Sequence, residues 1–236
     1  MELTKAEIKN LKDKDYRHDN KIFLVEGDKF CHDLLNANID ILQTITTNSE
    51  LKGFNNTTYV NKKTFDSLAT TKTPQSIICV CKIKEYEIDA VGNSLVLDNV
   101  QDPGNVGTLI RSALAFNFND IYLIGGADPY TEKVIRSSAG TILKARLHLV
   151  NFKEFEANKI KIAENFLIAD MFGENLNKIR LPKGRISVII GNEGNGVSSE
   201  MRTLANSKVS IPMMPCVESL NAGVAGSIIM QKIGHM

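Results

Sequence analysis

Residues 95–114 read Leu95-Val-Leu-Asp-Asn-Val100-Gln-Asp-Pro-Gly-Asn105-Val-Gly-Thr-Leu-Ile-Arg111-Ser-Ala-Leu114, and the apolar period changes halfway along. Up to Val100 apolar residues dominate, the pattern of a buried strand. Gln101-Asp102-Pro103-Gly104 is a turn. Val106, Leu109, Ile110, Ala113 and Leu114 then fall at i, i+3, i+4, i+7 and i+8, a single core-facing helical stripe. Strand, polar turn and helix therefore follow one another. The same order returns around Ile190-Gly-Asn-Glu-Gly-Asn-Gly196 and around Ser219-Leu-Asn-Ala-Gly-Val-Ala225. Ligands of open α/β sheets bind at the carboxyl ends of the strands. Three such loops predict one shared site.

Working outward, the spacing predicts strands at 94–100, 120–124, 165–169, 186–190 and 208–212. Helices are predicted at 105–117, 131–139, 153–163, 197–205 and 220–233. This alternation implies an α/β fold with a mainly parallel sheet covered on both faces. Upstream, Thr4 and Glu7 form a capping box ahead of Ile8 and Leu11. Strands are predicted at 22–25, 41–45 and 77–83, and a short helix at 62–69. Asp28 is a candidate cap for a helix whose stripe is Phe30, Cys31, Leu34 and Leu35. The polar run 84–93 ends in Gly-Asn. The expected organisation is a small α/β domain over 1–84, a linker over 85–93 and a second domain over 94–236.

The 236 residues carry a net charge of +1, so no global field marks a polyanion partner, and only local patches could meet one. Lys133, Arg136, Lys144 and Arg146 against Glu132 form one such patch. Between residues 1 and 21, six Lys and Arg are nearly cancelled by five acids, which fits a solvated helix face. Cys31, Cys79, Cys81 and Cys216 include no Cys-x-x-Cys pair, which argues against zinc and suits a reducing compartment. His18, His32, His148 and His235 show no paired metal spacing. No signal peptide or membrane-length apolar run is visible, so a cytoplasmic protein without a membrane partner is expected.

Arg111 lies off its helix stripe and leans back toward Asn105, a placement suited to a phosphate or a developing oxyanion. An exposed arginine beside an Asn cap explains the same pattern. The glycines of 191–196 are spaced G-x-x-G-x-G rather than G-x-G-x-x-G, which supports neither a dinucleotide site nor a P-loop. Glu193 is the one charge among them. Ala222, Gly223, Ala225 and Gly226 permit close backbone approach, and packing alone accounts for them. No G-x-S-x-G elbow or Cys/His nucleophile context is present.

Taken together, Leu97 to Arg111, Ile190-Gly-Asn-Glu193-Gly, Ile211-Pro212 and Ser219-Leu-Asn221 resemble the SpoU (TrmH) family of RNA ribose 2′-O-methyltransferases. Asp128-Pro129-Tyr130 through Arg136-Ser-Ser-Ala-Gly140 is similar too. Tyr16-Arg17-His18 and Phe23-Leu-Val-Glu26-Gly27 resemble the family's small substrate-binding domain. The resemblance implies a trefoil knot in the carboxyl-terminal α/β domain, S-adenosylmethionine as cofactor, no metal, and a homodimer. It implies that Gly191, Ile211 and Leu220 hold the cofactor. Asn105, Arg111, Glu193, Ser219 and Asn221 would line the reaction centre, and Arg17, Lys133 and Arg136 would meet RNA. Asn221-Ala-Gly-Val-Ala-Gly departs from the more usual Asn-Val-Ser-Val-Ala-Ala run at the cofactor loop. Ribosomal RNA, 23S in particular, is the favoured substrate, because members with this extra domain act mostly there. The alternatives are a tRNA 2′-O-methyltransferase and an RNA-binding or assembly factor without catalysis.

Overall fold

The computed structural model describes residues 2–37 and 39–234, so His235 lies outside the described residues. The chain divides into two compact units, Met1–Lys84 with Tyr130–Arg136, and Glu85–Pro129 with Ser137–Met236.

The first unit contains α1 (Lys5–Asn10), α2 (Lys14–Asn20), β1 (Ile22–Glu26), α3 (Asp28–Leu34), β2 (Ile41–Thr46), β3 (Thr57–Tyr59), α4 (Lys62–Leu68) and β4 (Ile77–Lys82). The sheet order is β1-β4-β2-β3, antiparallel except where β2 meets β3. Ile8, Leu11, Ile45, Phe65, Leu68, Ile78 and Val80 build its core. Thr4 and Glu7 form the expected reciprocal cap of α1.

The expectations for α3 need correction. Gly27, not Asp28, is the N-cap residue, and no side chain caps the helix. Gly27 sits at φ 105°, and Asp28 N–H donates to Gln75 Oε1 at 2.8 Å. The helix ends at Leu34, which leaves Leu35 45% exposed rather than on a buried stripe. Tyr130 belongs to this unit through its ring, 4.8 Å from that of Phe23. Linear periodicity has no means of assigning those seven residues to a unit 46 positions upstream.

The second unit runs β5 (Ser94–Asp98), α5 (Pro103–Ala115), β6 (Asp120–Ile124), α6 (Glu132–Ser137, most of which groups with the first unit), a 3-10 turn (Thr141–Lys144), β7 (Arg146–Leu149), α7 (Phe152–Ile162), β8 (Asn165–Asn175), β9 (Ile186–Gly191), α8 (Ser199–Leu204), β10 (Ser207–Ser210) and α9 (Ala222–Gly234). The six strands lie in the order β10-β8-β9-β5-β6-β7, and every pairing is parallel. Because all strands point one way, the loops after β5 and β9 open on the same edge.

Sequence periodicity misses β7 because its inward position is polar. His148 is 3% exposed, Nε2 lies 3.0 Å from Asp120 Oδ1, and its ring stacks on Tyr122 at 4.5 Å. Helix α6 stops at Ser137 rather than 139, since Ala139 adopts φ 51°. Strand β10 stops at Ser210, two residues early, where the Ile211-Pro212 pair removes a ladder donor. Strand β8 runs six residues past the expected 169.

The core is anchored by Phe155, 0% exposed, with ring centroids 5.4 Å from Tyr122 and 5.9 Å from Phe166. Phe155→Ala is expected to cost about 3–5 kcal/mol through the cavity it leaves. The measurement is a urea midpoint shift. A loss below about 1 kcal/mol would contradict this packing.

Candidate active site

Strand β9 delivers the chain into a closed loop. Asn192 and Gly196 exchange backbone hydrogen bonds of 3.0 and 2.9 Å, while Asn192 Oδ1 accepts from Gly194 and Asn195 N–H, each at 3.0 Å. Asn192 Nδ2 donates to Asn99 O at 3.1 Å, tying this loop to the end of β5. A Cβ at Gly191 would collide with the backbone of Gly196 and Val197, so the tight return requires glycine there. The loop is closed by its own hydrogen bonds, and it presents Glu193.

The Glu193 carboxylate accepts three hydrogen bonds: Gln101 N–H at 3.0 Å, Asp102 N–H at 3.1 Å and Asn105 Nδ2 at 2.9 Å. Asn105 sits in the first turn of α5, where Asp102 Oδ1 caps the helix by accepting from its N–H at 2.9 Å. Its side-chain oxygen accepts from Asn221 Nδ2 at 2.8 Å. Asn221 Oδ1 in turn accepts from Val224 N–H at 3.2 Å at the start of α9. A Glu193–Asn105–Asn221 chain thus links the three loops, with the amide orientation of Asn105 set by its two partners.

Burial pushes the Glu193 carboxyl up, but the Asn105 side chain and the Gln101 and Asp102 N–H groups outweigh that and hold it below the ordinary carboxylate range. Near neutral pH it is therefore a fixed anion, suited to orienting donors and facing a cation, and poorly suited to taking up a proton. A depressed folded-state pKa contributes stability above the unfolded value and loses it as pH falls through the folded one. Glu193→Gln is accordingly expected to lower the melting temperature at pH 7. The gap to the unmodified protein should begin to narrow near the unfolded glutamate value of about 4.3 and close as pH falls through the lower folded-state value. A gap independent of pH would show that the charge is not what the loop uses.

Beside this chain lies a cavity of about 770 Å³. Glu193, Asn221, Ser219, Gly191, Ile211 and Leu220 all line it, so six of the expected site residues meet at one space. Ile190, Ala225 and Ile229 add an apolar wall. The small residues of α9 serve packing: a Cβ at Gly226 would collide with Leu109 of α5, and Ser112 and Ser227 hydroxyls lie 2.7 Å apart.

Other expected residues lie elsewhere. Arg111 is exposed on α5, is not part of the cavity wall, and holds no ion pair among the described residues. Six residues of helix place it roughly 9 Å along the axis and about 120° around from Asn105. Arg17 is 5% exposed and donates from Nη1 to Leu11 O at 2.6 Å. Lys133 and Arg136 are exposed on α6, Arg136 lying 3.0 Å from Glu132. Among the described residues, no group of His, Cys, Asp and Glu could hold a metal ion, and no helix is long and apolar enough to cross a membrane.

Sequence reading missed Asn192, whose signal was its place between β9 and two closely spaced glycines. It also missed Asp170 and Arg202, which line the cavity as an ion pair of 2.6 Å. Their separation of 32 positions carries no local signal.

Residues 92–231 match the SpoU rRNA Methylase family, and residues 6–79 match the MRM3-like substrate binding domain. The chain is 28% identical over 232 residues to the Bacillus subtilis 23S rRNA (guanosine(2553)-2′-O)-methyltransferase RlmP, covering 94% of this chain and 92% of that one. It is 29% identical over 188 residues to the mouse mitochondrial rRNA methyltransferase 3, covering 58% of this chain and 44% of the relative. Among solved structures, a Porphyromonas gingivalis chain of the TrmH family superimposes with a TM-score of 0.84 at 27% identity, covering 98% of both chains. An AdoMet-bound rRNA methyltransferase from Sinorhizobium meliloti shares the fold with a TM-score of 0.85 at 23% identity, over 97% of this chain and 92% of that one.

Proposed function

This chain belongs to the SpoU rRNA methylase family, and on that premise we propose that it methylates a ribose 2′-hydroxyl of ribosomal RNA, with S-adenosylmethionine as donor. The observation that carries the proposal is the hydrogen-bonded Glu193–Asn105–Asn221 chain set against the 770 Å³ cavity. The RlmP relative, matched over nearly the full length of both chains, supports ribosomal over transfer RNA.

The residues present fit the cofactor. The cavity volume lies within the range of small-molecule sites. Its apolar wall suits an adenosine, and the Glu193 and Glu218 carboxylates suit the sulfonium and ammonium charges. When bound, the cofactor supplies a methyl group activated by a positively charged sulfur. Gly191, Ile211 and Leu220 would hold it through backbone and apolar contacts. Glu193 keeps the amino-terminal turn of α5 in place, and Asn105 passes that order to Asn221 and α9. Ser219 and Asn221 would position the ribose. Arg111 would steady the adjacent phosphate and the oxygen as it gains negative charge. Its guanidinium offers only N–H donors and no acceptor, so it acts as a donor rather than a base.

Since Arg111 does not line the cavity of its own chain, we assign it to a second subunit's site in a homodimer. Helix α9 offers an apolar surface for that pairing, with Val224 46% and Ile228 38% exposed. The first unit would grip structured RNA with help from Lys133 and Arg136. We further propose that the segment between β10 and α9 threads a trefoil knot. In its support, the chain leaves β10 at the sheet edge and returns to pack α9 against α5 and β9. A cytoplasmic enzyme accords with the bacterial relative and with four free cysteines.

The test is a map of ribose methylation across total RNA from cells with and without the protein. Loss of a single 2′-O-methyl site in 23S rRNA is expected. A site lost from tRNA would redirect the substrate, and no lost site anywhere would overturn the proposal.

A further inference from the structure

A pair of exposed apolar side chains beside a cleft marks an interaction site more than a single scattered one does. Phe172 is 88% exposed, beside Met171 at 54%, and both line the mouth of the cavity. Their exposure follows from the way β8 outruns the sheet. Its pairing with β9 ends at Ile168, and its partnership with β10 resumes only after a register shift between Lys208 and Val209. Met171 and Phe172 fall in the stretch between, where neither strand pairs with them, and their side chains are exposed.

The backbone there is nevertheless held. Phe172 N–H donates to Asp170 Oδ1 at 2.9 Å, and Asp170 Oδ2 accepts from Arg202 Nη1 at 2.6 Å. Arg202 is itself fixed by its Nε bond to Val197 O at 3.0 Å. A ring on an anchored backbone loses little freedom on binding, as a stacking platform requires. Lys208 lines the same mouth, and Lys178 follows three residues after the end of β8.

We infer that Phe172, flanked by Met171 and Lys208, stacks a nucleobase of the substrate RNA within one nucleotide of the reacting ribose. A flat aromatic face next to a lysine matches the base and phosphate of one nucleotide, the combination that single-stranded nucleic acid presents. The adenosine of the cofactor does not need this surface, because Ile190, Ala225 and Ile229 offer it a wall deeper in the cavity. A base must leave its helical stack before its ribose can enter a cleft, and the platform replaces the stacking it gives up. This inference rests on the RNA-methyltransferase reading above.

The experiment compares the wild-type chain with Phe172→Leu and Phe172→Trp. Leu keeps apolar bulk and removes the π face, whereas Trp keeps the face. The probe is ribosomal RNA from cells lacking the protein. Methyl transfer, equilibrium RNA binding, cofactor calorimetry and molar mass are measured for each. Phe172→Leu is expected to weaken RNA binding and raise its KM about tenfold, the size of one base–aromatic contact. Phe172→Trp should restore both, with cofactor affinity, mass and melting temperature unchanged. Leu performing as well as Phe would overturn the platform. So would a loss confined to cofactor affinity, or a change in molar mass, which would make Phe172 a subunit contact. RNA binding needs no methyl transfer. An inactive wild type would therefore count against the enzymatic reading, while the Leu-to-Trp binding ratio still decides the platform.

Discussion

Arg111→Ala should lower kcat by about 10²–10³-fold while cofactor affinity stays within about twofold, the effect of deleting one donor aimed at developing charge. Arg111→Lys should recover little of the loss. It retains a positive charge but replaces a planar fork with a mobile point donor, and two parallel hydrogen bonds to a phosphate cannot be rebuilt from it. The structure adds a sharper test. Arg111 is exposed on α5 and absent from the cavity wall of its own chain. Mixing Arg111→Ala subunits with subunits whose cofactor loop is disrupted by Gly191→Ala should therefore restore about a quarter of wild-type turnover on random pairing, and at most about a half, as expected when mixed pairs form one complete site in a symmetric dimer. Mixtures as inactive as either parent would show that the arginine acts in its own subunit or not at all. Near-wild-type turnover by Arg111→Lys would remove the bidentate role.

Asn105→Ala should have the second-largest effect. Its amide joins Glu193 at 2.9 Å and Asn221 at 2.8 Å, so deletion leaves a carboxylate and an amide each short of a partner. A fall in kcat/KM of about 10²-fold is expected, together with a stability loss of about 1–3 kcal/mol. The informative measurement is a double-mutant cycle between Asn105→Ala and Asn221→Ala. Residues in one hydrogen-bond network couple by about 0.5–3 kcal/mol, and independent ones add. Additive losses would mean that the three loops do not work as a unit. Asn105→Asp is a useful third variant, because it places a second carboxylate against Glu193 and should be worse than alanine in kcat/KM.

Much of the site was legible before any coordinates. Gly191, Ile211, Ser219, Leu220 and Asn221, which the family resemblance brought together, all line one cavity; the apolar run of β9 marks Gly191 plainly, whereas β10 carries a single apolar residue. The strand-to-helix handovers are local events, settled by turn residues and caps a few positions apart, such as Asp102 accepting from Asn105 N–H. The burial of Arg17, and its bond to a backbone carbonyl six positions away, leave no mark in the nearly charge-cancelled run of residues 1–21.

By itself the sequence determined the α/β class, the parallel character of the second unit and the strand-to-helix loops, since apolar period and turn chemistry are properties of neighbouring residues. Tertiary structure alone decided the strand order, the polar-faced strand β7, the transfer of Tyr130–Arg136 to the first unit and which loop residues line the cavity, Arg111 not among them. Those outcomes depend on partners such as Asn105 and Asn221, 116 positions apart. Which distant groups pair is settled when the whole chain buries its apolar surface and satisfies its polar groups at once, and no local window contains that competition.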